Sequence, residues 1–286
     1  MNPSLRRAEP RDIDAICRLL SDYMNPDFPP ERWRRLFAPG WCGRRPDIGL
    51  VVEDGGEIVG FHGHVCSSRP LGMKRERFVN FSSWYLRKEY RGQGLGRAML
   101  EMATEDPDAT YVVCSLSPKR VEFFKHLGMD VLDTERLIWR NDGADVENLE
   151  LFTDPAEIAR LAAPADALVL EHHAGMAATP VLVSTRCCLC LLLLSVAKKG
   201  DDTLYYDVLY RSNPALFTER AQDIARALLP DGDCVLAADR RFVEDDAHGA
   251  VVEQLPSPRF YKSSRVLPSD IDLAYSEIVL LGLKLD

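Results

Sequence analysis

Arg91-Gly92-Gln93-Gly94-Leu95-Gly96 is the stretch of this sequence best equipped for chemistry. It lies between a strand-like run, Phe78 to Leu86, and a helix-like run, Leu95 to Ala103. Glycine lets the backbone take unusual dihedrals and lets a bulky anion approach the amides. The first turn of the helix has unpaired N–H donors, and its macrodipole makes that end positive. Arg91 adds a cation at the mouth. Strand, glycine loop and helix N-terminus together predict a phosphate cradle. Arg97-Ala98 stands where a P-loop carries Lys-Ser/Thr, and the glycines alternate as G-x-G-x-G rather than the dinucleotide G-x-G-x-x-G. A glycine-rich turn before an amphipathic helix is the plainer reading of the same residues.

The elements that must position this loop read as alternating strand and helix. Leu5 to Ala8 suggests a strand. Pro10 opens a helix with Ile13, Ile16, Cys17, Leu20 and Tyr23 on its apolar side. Asn25-Pro26 and Pro29-Pro30 break it, and a second helical piece carries Trp33, Leu36 and Phe37. Ile48 to Glu53 and Glu57 to Ser67 form a hairpin around Asp54-Gly55-Gly56. His62 and His64 fall on one face of its second strand. After the loop, Leu95, Ala98, Met99, Met102 and Ala103 give the helix one apolar face. Tyr111 to Leu116 is a strand. Ser117 then caps a helix with Pro118 at its first position, and Gly128 ends it.

Arg91-x-x-Gly94-x-Gly96 resembles the Q/R-x-x-G-x-G/A motif of the GCN5-related N-acetyltransferases (GNAT superfamily). Trp84 to Gly92 resembles that family's fourth strand entering its acyl-CoA loop. Phe123-Phe124-Lys125-His126-Leu127-Gly128-Met129 resembles its "FYEKLGF" ending. The likeness spans roughly residues 5 to 140. It implies the GNAT fold, an α/β fold with a mixed sheet, and acetyl-CoA as co-substrate. The implied acyl-CoA contacts are Leu86, Arg91, Gly92, Gln93, Gly94, Leu95, Gly96 and Arg97, with Ser117 and Phe124 on the following helix. Leu86 would hold the pantetheine arm through its backbone. An amide near Tyr85 and Leu86 would polarise the thioester carbonyl, beside a strand bulge. Trp33 and Arg34 lie where the family's acceptor site varies, with core packing the safer reading for Trp33.

Two of the family's usual acid–base residues are missing. The strand Asn80-Phe81-Ser82-Ser83-Trp84-Tyr85-Leu86 has no carboxylate, where many members carry a glutamate. Phe124 stands where a tyrosine often protonates the leaving thiolate, and Ser117 replaces a common asparagine. The amine must still lose a proton before it attacks. Candidate routes are His62, His64, Tyr85, or a water held by Asn80 or Ser82. For the two histidines, ordinary half-buried strand residues is the favoured reading on sequence alone.

The chain has 286 residues, 46% hydrophobic and 28% charged, with a net charge of −9. This describes a globular chain and argues against a nucleic-acid partner. No apolar leader opens it, and the most apolar stretch, Val181 to Ala197, is interrupted by Ser184, Thr185 and Arg186. The expectation is a cytoplasmic protein with no membrane span, its scattered cysteines in the core and no metal site. Cys188 and Cys190 should share one strand face, with Cys187 on the other.

Asp142-Gly143 divides the chain into 1–143, the acyl-CoA-binding domain, and 144–286, a degenerate GNAT-like or accessory α/β domain. The second part repeats the element order: a helix from Asp154-Pro155, strands at Pro180 to Ser184, Cys188 to Ala197 and Thr203 to Tyr210, a helix from Pro214, and a strand at Cys234 to Ala238. Its loop, Arg211-Ser212-Asn213-Pro214, has no glycine. Asp245-Asp246 and His248 read as a surface loop, and Asp270 to Leu285 as a short helix and a final strand that returns to the first domain. The sequence reads as an N-acetyltransferase for a small-molecule or sugar amine, monomeric or homodimeric. The rivals are a non-catalytic acyl-CoA-binding or scaffold protein, and transfer to a hydroxyl or peptide acceptor.

Overall fold

The computed structural model describes residues 2–38, 40–43, 47–200, 202–244 and 247–285. Asp245 and Asp246 lie outside them. Among the described residues one mixed sheet of 12 strands runs through both halves of the chain. The first half supplies β1 (Ser4–Arg7), β2 (Gly49–Asp54), β3 (Glu57–Leu71), β4 (Lys74–Leu86), β5 (Thr110–Val113) and β6 (Asp130–Trp139). The second supplies β7 (Leu149–Phe152), β8 (Thr179–Thr185), β9 (Leu189–Lys199), β10 (Thr203–Arg211), β11 (Cys234–Asp239) and β12 (Val251–Lys262). The order across the sheet is β1-β2-β3-β4-β5-β12-β6-β11-β10-β9-β8-β7.

That order has a regular internal logic. β1 to β4 form antiparallel neighbours, and β4 then pairs in parallel with β5. β7 to β10 and β11 repeat the same pattern. The last strands are exchanged. β12 docks on β5, β6 docks on β11, and the two pair with each other. Each half therefore completes its sheet with a strand from the other.

Helices cover the faces. α1 (Ile13–Leu19) and α2 (Pro30–Arg34) lie between β1 and β2, and α3 (Leu95–Ala103) and α4 (Val121–His126) flank β5. The second half adds α5 (Pro155–Leu161), α6 (Pro164–His173), α7 (Pro214–Leu228) and, in the tail, α8 (Glu277–Leu281). α1 continues into a π turn, closed by Asn25 N–H donating to the Leu20 carbonyl at 3.0 Å. The wider turn rotates Tyr23 off the apolar side, where the sequence pattern put it, and leaves it 49% exposed. The β2–β3 turn is Gly55-Gly56 at φ +59° and +85°, values a two-residue hairpin of this hand requires.

Two expectations are corrected. No strand follows α8 among the described residues. The closing strand is β12, whose Pro256 and Pro258 fall in a gap in its register between Gln254 and Arg259. Pro cannot donate to a ladder, so the prolines hid the strand. Cys187 and Cys188 are not core residues. They are exposed in the β8–β9 turn, and only Cys190 of that cluster is buried.

A buried charge cluster joins the four central strands. Asp239 of β11 pairs with Arg241 and with Arg259 of β12, and Arg241 also pairs with Asp133 of β6. Arg259 donates to the carbonyl of Cys114, just past β5. The exchange has a direct consequence. Residues 1–143 expressed alone would leave one side of β5 an open strand edge. They should aggregate or fail to give cooperative unfolding, as read by size exclusion and thermal denaturation. A soluble, cooperatively folding fragment would contradict the dependence on β12.

Candidate active site

The parallel ladder between β4 and β5 is short. It joins Phe78–Asn80 to Thr110–Val112 and then ends. Beyond it the strands diverge into a fork. On the other side of β4, the ladder with β3 slips, so that Ser83 and Trp84 together face His62. Ser83 takes φ +46°, an uncommon value for a residue with a side chain. A chamber of about 190 Å³ fills the fork, lined by His62, Phe81, Ser82, Ser83, Trp84, Ser115, Ser117, Arg120 and Phe124 among others.

A second chamber of about 320 Å³ adjoins it through Trp84 and Arg120, which line both. Its other walls are Leu86, Arg91, Gly92, Gly96, Lys119 and Phe123. Gly92 and Gly94 take φ +78° and +80°, and a Cβ on Gly96 would come within 3.1 Å of the Trp84 ring. Two glycines are thus required by dihedral and one by close approach. α3 starts from Gly94 with no side-chain cap, so its first-turn amides are not taken by a side chain. Arg91, Lys119 and Arg120 line this chamber, and no carboxylate is among its described lining residues. Burial and the neighbouring Arg91 both lower the pKa of Arg120. Arg120 is held by the Trp84 carbonyl at 3.1 Å and by the Trp84 ring, 4.4 Å away. Two guanidiniums at close quarters, neither in a salt bridge among the described residues, suit a polyanion such as a pyrophosphate.

Behind the fork lies a chain of titratable groups. His62 Nδ1 and His64 Nε2 are 3.1 Å apart, and His64 Nδ1 is 3.1 Å from Asp47 Oδ2. Both rings are buried. Burial, then His64, holds the His62 pKa well below the ordinary value, so the ring is neutral. Burial alone would raise Asp47, but His64 and Arg7 outweigh it and bring it to about 2. Asp47 acts on His64 Nδ1 as a nearby charge, without hydrogen-bond geometry. A proton drawn to that nitrogen leaves His64 Nε2 to accept from His62 Nδ1. His62 Nε2 is then a bare acceptor, and it is a buried nitrogen with no hydrogen-bond partner among the described residues.

Residues 13–129 match the family model for the acetyltransferase (GNAT) family. That segment belongs to the GNAT family. The fold of nearly the whole chain is similar to a GCN5-related N-acetyltransferase from Kribbella flavida, with a TM-score of 0.57 and 13% identity, over 91% of this chain and 70% of that one. It is also similar to a conserved protein of unknown function, a probable N-acyltransferase, from Enterococcus faecalis, with a TM-score of 0.57 and 10% identity over 97% and 74%. A GCN5-related N-acetyltransferase from Anabaena variabilis gives 0.55 and 12% over 91% and 72%. At these identities the likeness is one of fold. A comparison with curated proteins finds no match.

The GNAT segment brings some sequence-derived residues together and leaves others aside. His62, Ser82, Ser117 and Phe124 line the fork, and Leu86, Arg91, Gly92 and Gly96 line the outer chamber. His64 stands one step behind His62. Gln93 donates to the Glu89 carbonyl, and Arg97 pairs with Glu101 on the exposed face of α3. Gly94 and Leu95 shape the helix start without lining either chamber. Tyr85 points away, half-buried, with Arg91 5.4 Å from its ring. Trp33 is core, and Arg34 pairs with Asp14 at the surface.

Sequence reasoning missed Asp47, Trp84, Lys119, Arg120 and Glu277. Glu277 is 2% exposed, at the start of α8, and accepts from Asn80 and Ser115 at the base of the fork. Burial raises its pKa. A lone carboxylate within the apolar run from Ala274 to Leu281 was the available signal. The neutral His62 makes a measurable prediction for stability. Its folded pKa lies below its unfolded one, so stability present above pH 6.5 is lost as pH falls, by at most about 1.4 kcal/mol per pH unit. His62→Phe should remove that part of the slope. Denaturant titrations at pH 7 and pH 5.5 should show a smaller loss for the variant than for the wild type, and equal losses would refute a neutral buried His62.

Proposed function

We propose that this chain is an acyl-CoA-dependent N-acetyltransferase whose acceptor is a primary amine on a small molecule or sugar, with His62 as the proton acceptor. The single observation that carries the reading is the bare, buried His62 Nε2 at the fork chamber, which opens beside the cation-lined glycine loop. The donor supplies a thioester carbonyl; the amine nitrogen bonds to it, the C–S bond breaks and the thiolate leaves. Arg91, Lys119 and Arg120 with the α3 amides hold phosphate charge. The β4 backbone at the bulge, free of a β5 partner, donates toward the carbonyl oxygen. His62 Nε2 takes the amine proton, and the positive charge is stabilised through His64 by Asp47. Phe124 has no proton to give, so the thiolate departs unassisted by that helix.

The repeated strand order supports reading residues 144–286 as a second, degenerate GNAT-like unit. In it Pro214 and the Asn213 cap, whose side chain accepts from Leu216 N–H at 3.1 Å, occupy the helix start where a cradle would be. The fork and loop belong to the first half alone.

Calorimetric titration of acetyl-CoA should show binding to the wild type and none to Gly94→Glu, which puts an anion in the cradle. Against a panel of amines with thiol detection, His62→Ala should lower kcat by roughly 10²- to 10⁴-fold while leaving acetyl-CoA binding intact. Because His62 is neutral well below pH 6.5, the acid limb of kcat/KM should fall below that value. Binding without turnover for any amine would leave the rival reading, an acyl-CoA-binding protein. No binding at all would overturn the proposal.

A further inference from the structure

A separate cavity of about 320 Å³ lies where the two halves of the chain meet. Its walls come from the far end of β3, from α6, from the β10–α7 junction and from the tail before α8. Leu168 and Val169 give it an apolar side. Two arginines give it a polar one. Arg69 is 9% exposed, pairs with Asp272, and lies 3.6 Å from the Phe78 ring centre; its Nε has no hydrogen-bond partner among the described residues. Arg211 is 7% exposed and among the described residues bonds only to carbonyl oxygens, Phe242 at 2.7 Å and Ser269 at 3.5 Å. Burial, then the nearby Arg241, lowers its pKa to about 10, so it keeps its charge at neutral pH.

The charge balance is uneven. Asp272 is bonded to Arg69 and acts on Arg211 only across space. Of the two carboxylates in the described lining, Asp272 is taken by Arg69 and Asp270 is exposed at the rim, so neither is hydrogen-bonded to Arg211. A buried cation left with neutral acceptors gains most from a charged one, because a charge-assisted hydrogen bond is worth about twice a neutral one. The cavity does not suit a second nucleotide. The α7 start is capped by Asn213 and lacks an amide at Pro214, so a phosphate would find the Ala215 amide alone left in the first turn. Asp270 stands at the exposed rim and repels a second negative charge. Those features favour a single carboxylate over a phosphate.

We infer that this cavity is a ligand site for a small organic monocarboxylate with an apolar body. The carboxylate lies with Arg211 and the free Nε of Arg69, and the body packs against Leu168 and Val169. The site is independent of acyl transfer in the fork.

Fluorine-labelled phenylacetate and its neutral amide are suitable probes, followed by fluorine NMR on the full chain. Phenylacetate should bind the wild type, and the amide should bind at least about tenfold more weakly, the loss expected for one charged hydrogen bond. Arg211→Met should remove that preference. Ala165→Trp, at an exposed wall position, should fill the cavity and abolish binding without touching the core, and it serves where Arg211→Met fails to fold. Gly94→Glu should bind phenylacetate normally. Equal affinity for acid and amide, full binding to Ala165→Trp, loss of binding in Gly94→Glu, or no binding to the wild type would each overturn the assignment.

Discussion

The short ladder between β4 and β5 is the constraint on which the site depends. A parallel pair that separates after Asn80 and Val112 leaves the backbone of Phe81 to Trp84 without partners on that side. Buried amides without partners are costly, so such a gap persists only if both arms are held from outside. β4 is held by the long ladder with β3, which reaches from Gly60 to Leu71. β5 has only β12 on its other side, and β12 comes from the second half. The strand exchange therefore does more than join two halves. It holds the far arm of the fork in place.

The second half shows what happens when the same gap is closed. β10 and β11 also pair in parallel, from Leu204 to Asp207 against Cys234 to Ala237. At the end of that ladder stands Asp207, bonded to Lys199 and near Arg136, all nine-tenths buried or nearly so. At the corresponding end in the first half stands Asn80, neutral, with Glu277. Removing one partner from a buried charged group typically costs about 3–5 kcal/mol. Asp207 and its cations thus fix the second fork as packed structure. Asn80 leaves the first one free to keep an open chamber.

What could be read in the sequence was local. The glycine loop, the Gly55-Gly56 hairpin and the apolar face of α3 are each set by neighbours within a few residues, so spacing alone revealed them. The shared face of His62 and His64 followed from the period of a strand, and their contact confirms it. The strand exchange was hidden because it depends on pairings more than a hundred residues apart, such as Phe260 with Val113. Pro256 and Pro258 further disguised β12. Asp47 was unreadable for the same reason: it precedes β2 and meets His64 only across the hairpin. Cys187 and Cys188 were misplaced because the second strand was started at Cys188, whereas it begins at Leu189 and both cysteines fall in the turn before it.

Two carboxylates approach the fork, and their partners favour different roles for them. Glu277 accepts one bond at each oxygen, from Asn80 and from Ser115, and so ties the tail to the first half. Asp47 has its charge directed along a line of two imidazoles. A proton taken at His62 Nε2 would place a positive ring next to His64, which by itself is unfavourable in a buried site. With His64 carrying its proton toward Asp47, the new charge meets an ion-pair partner one ring away, while His64 Nε2 still accepts from His62. The neutral ground state and the stabilised protonated state are both needed of a base at neutral pH. Glu277 is not among the described residues that line the fork chamber, whereas His62 lines it with His64 and Asp47 behind as a route for the charge.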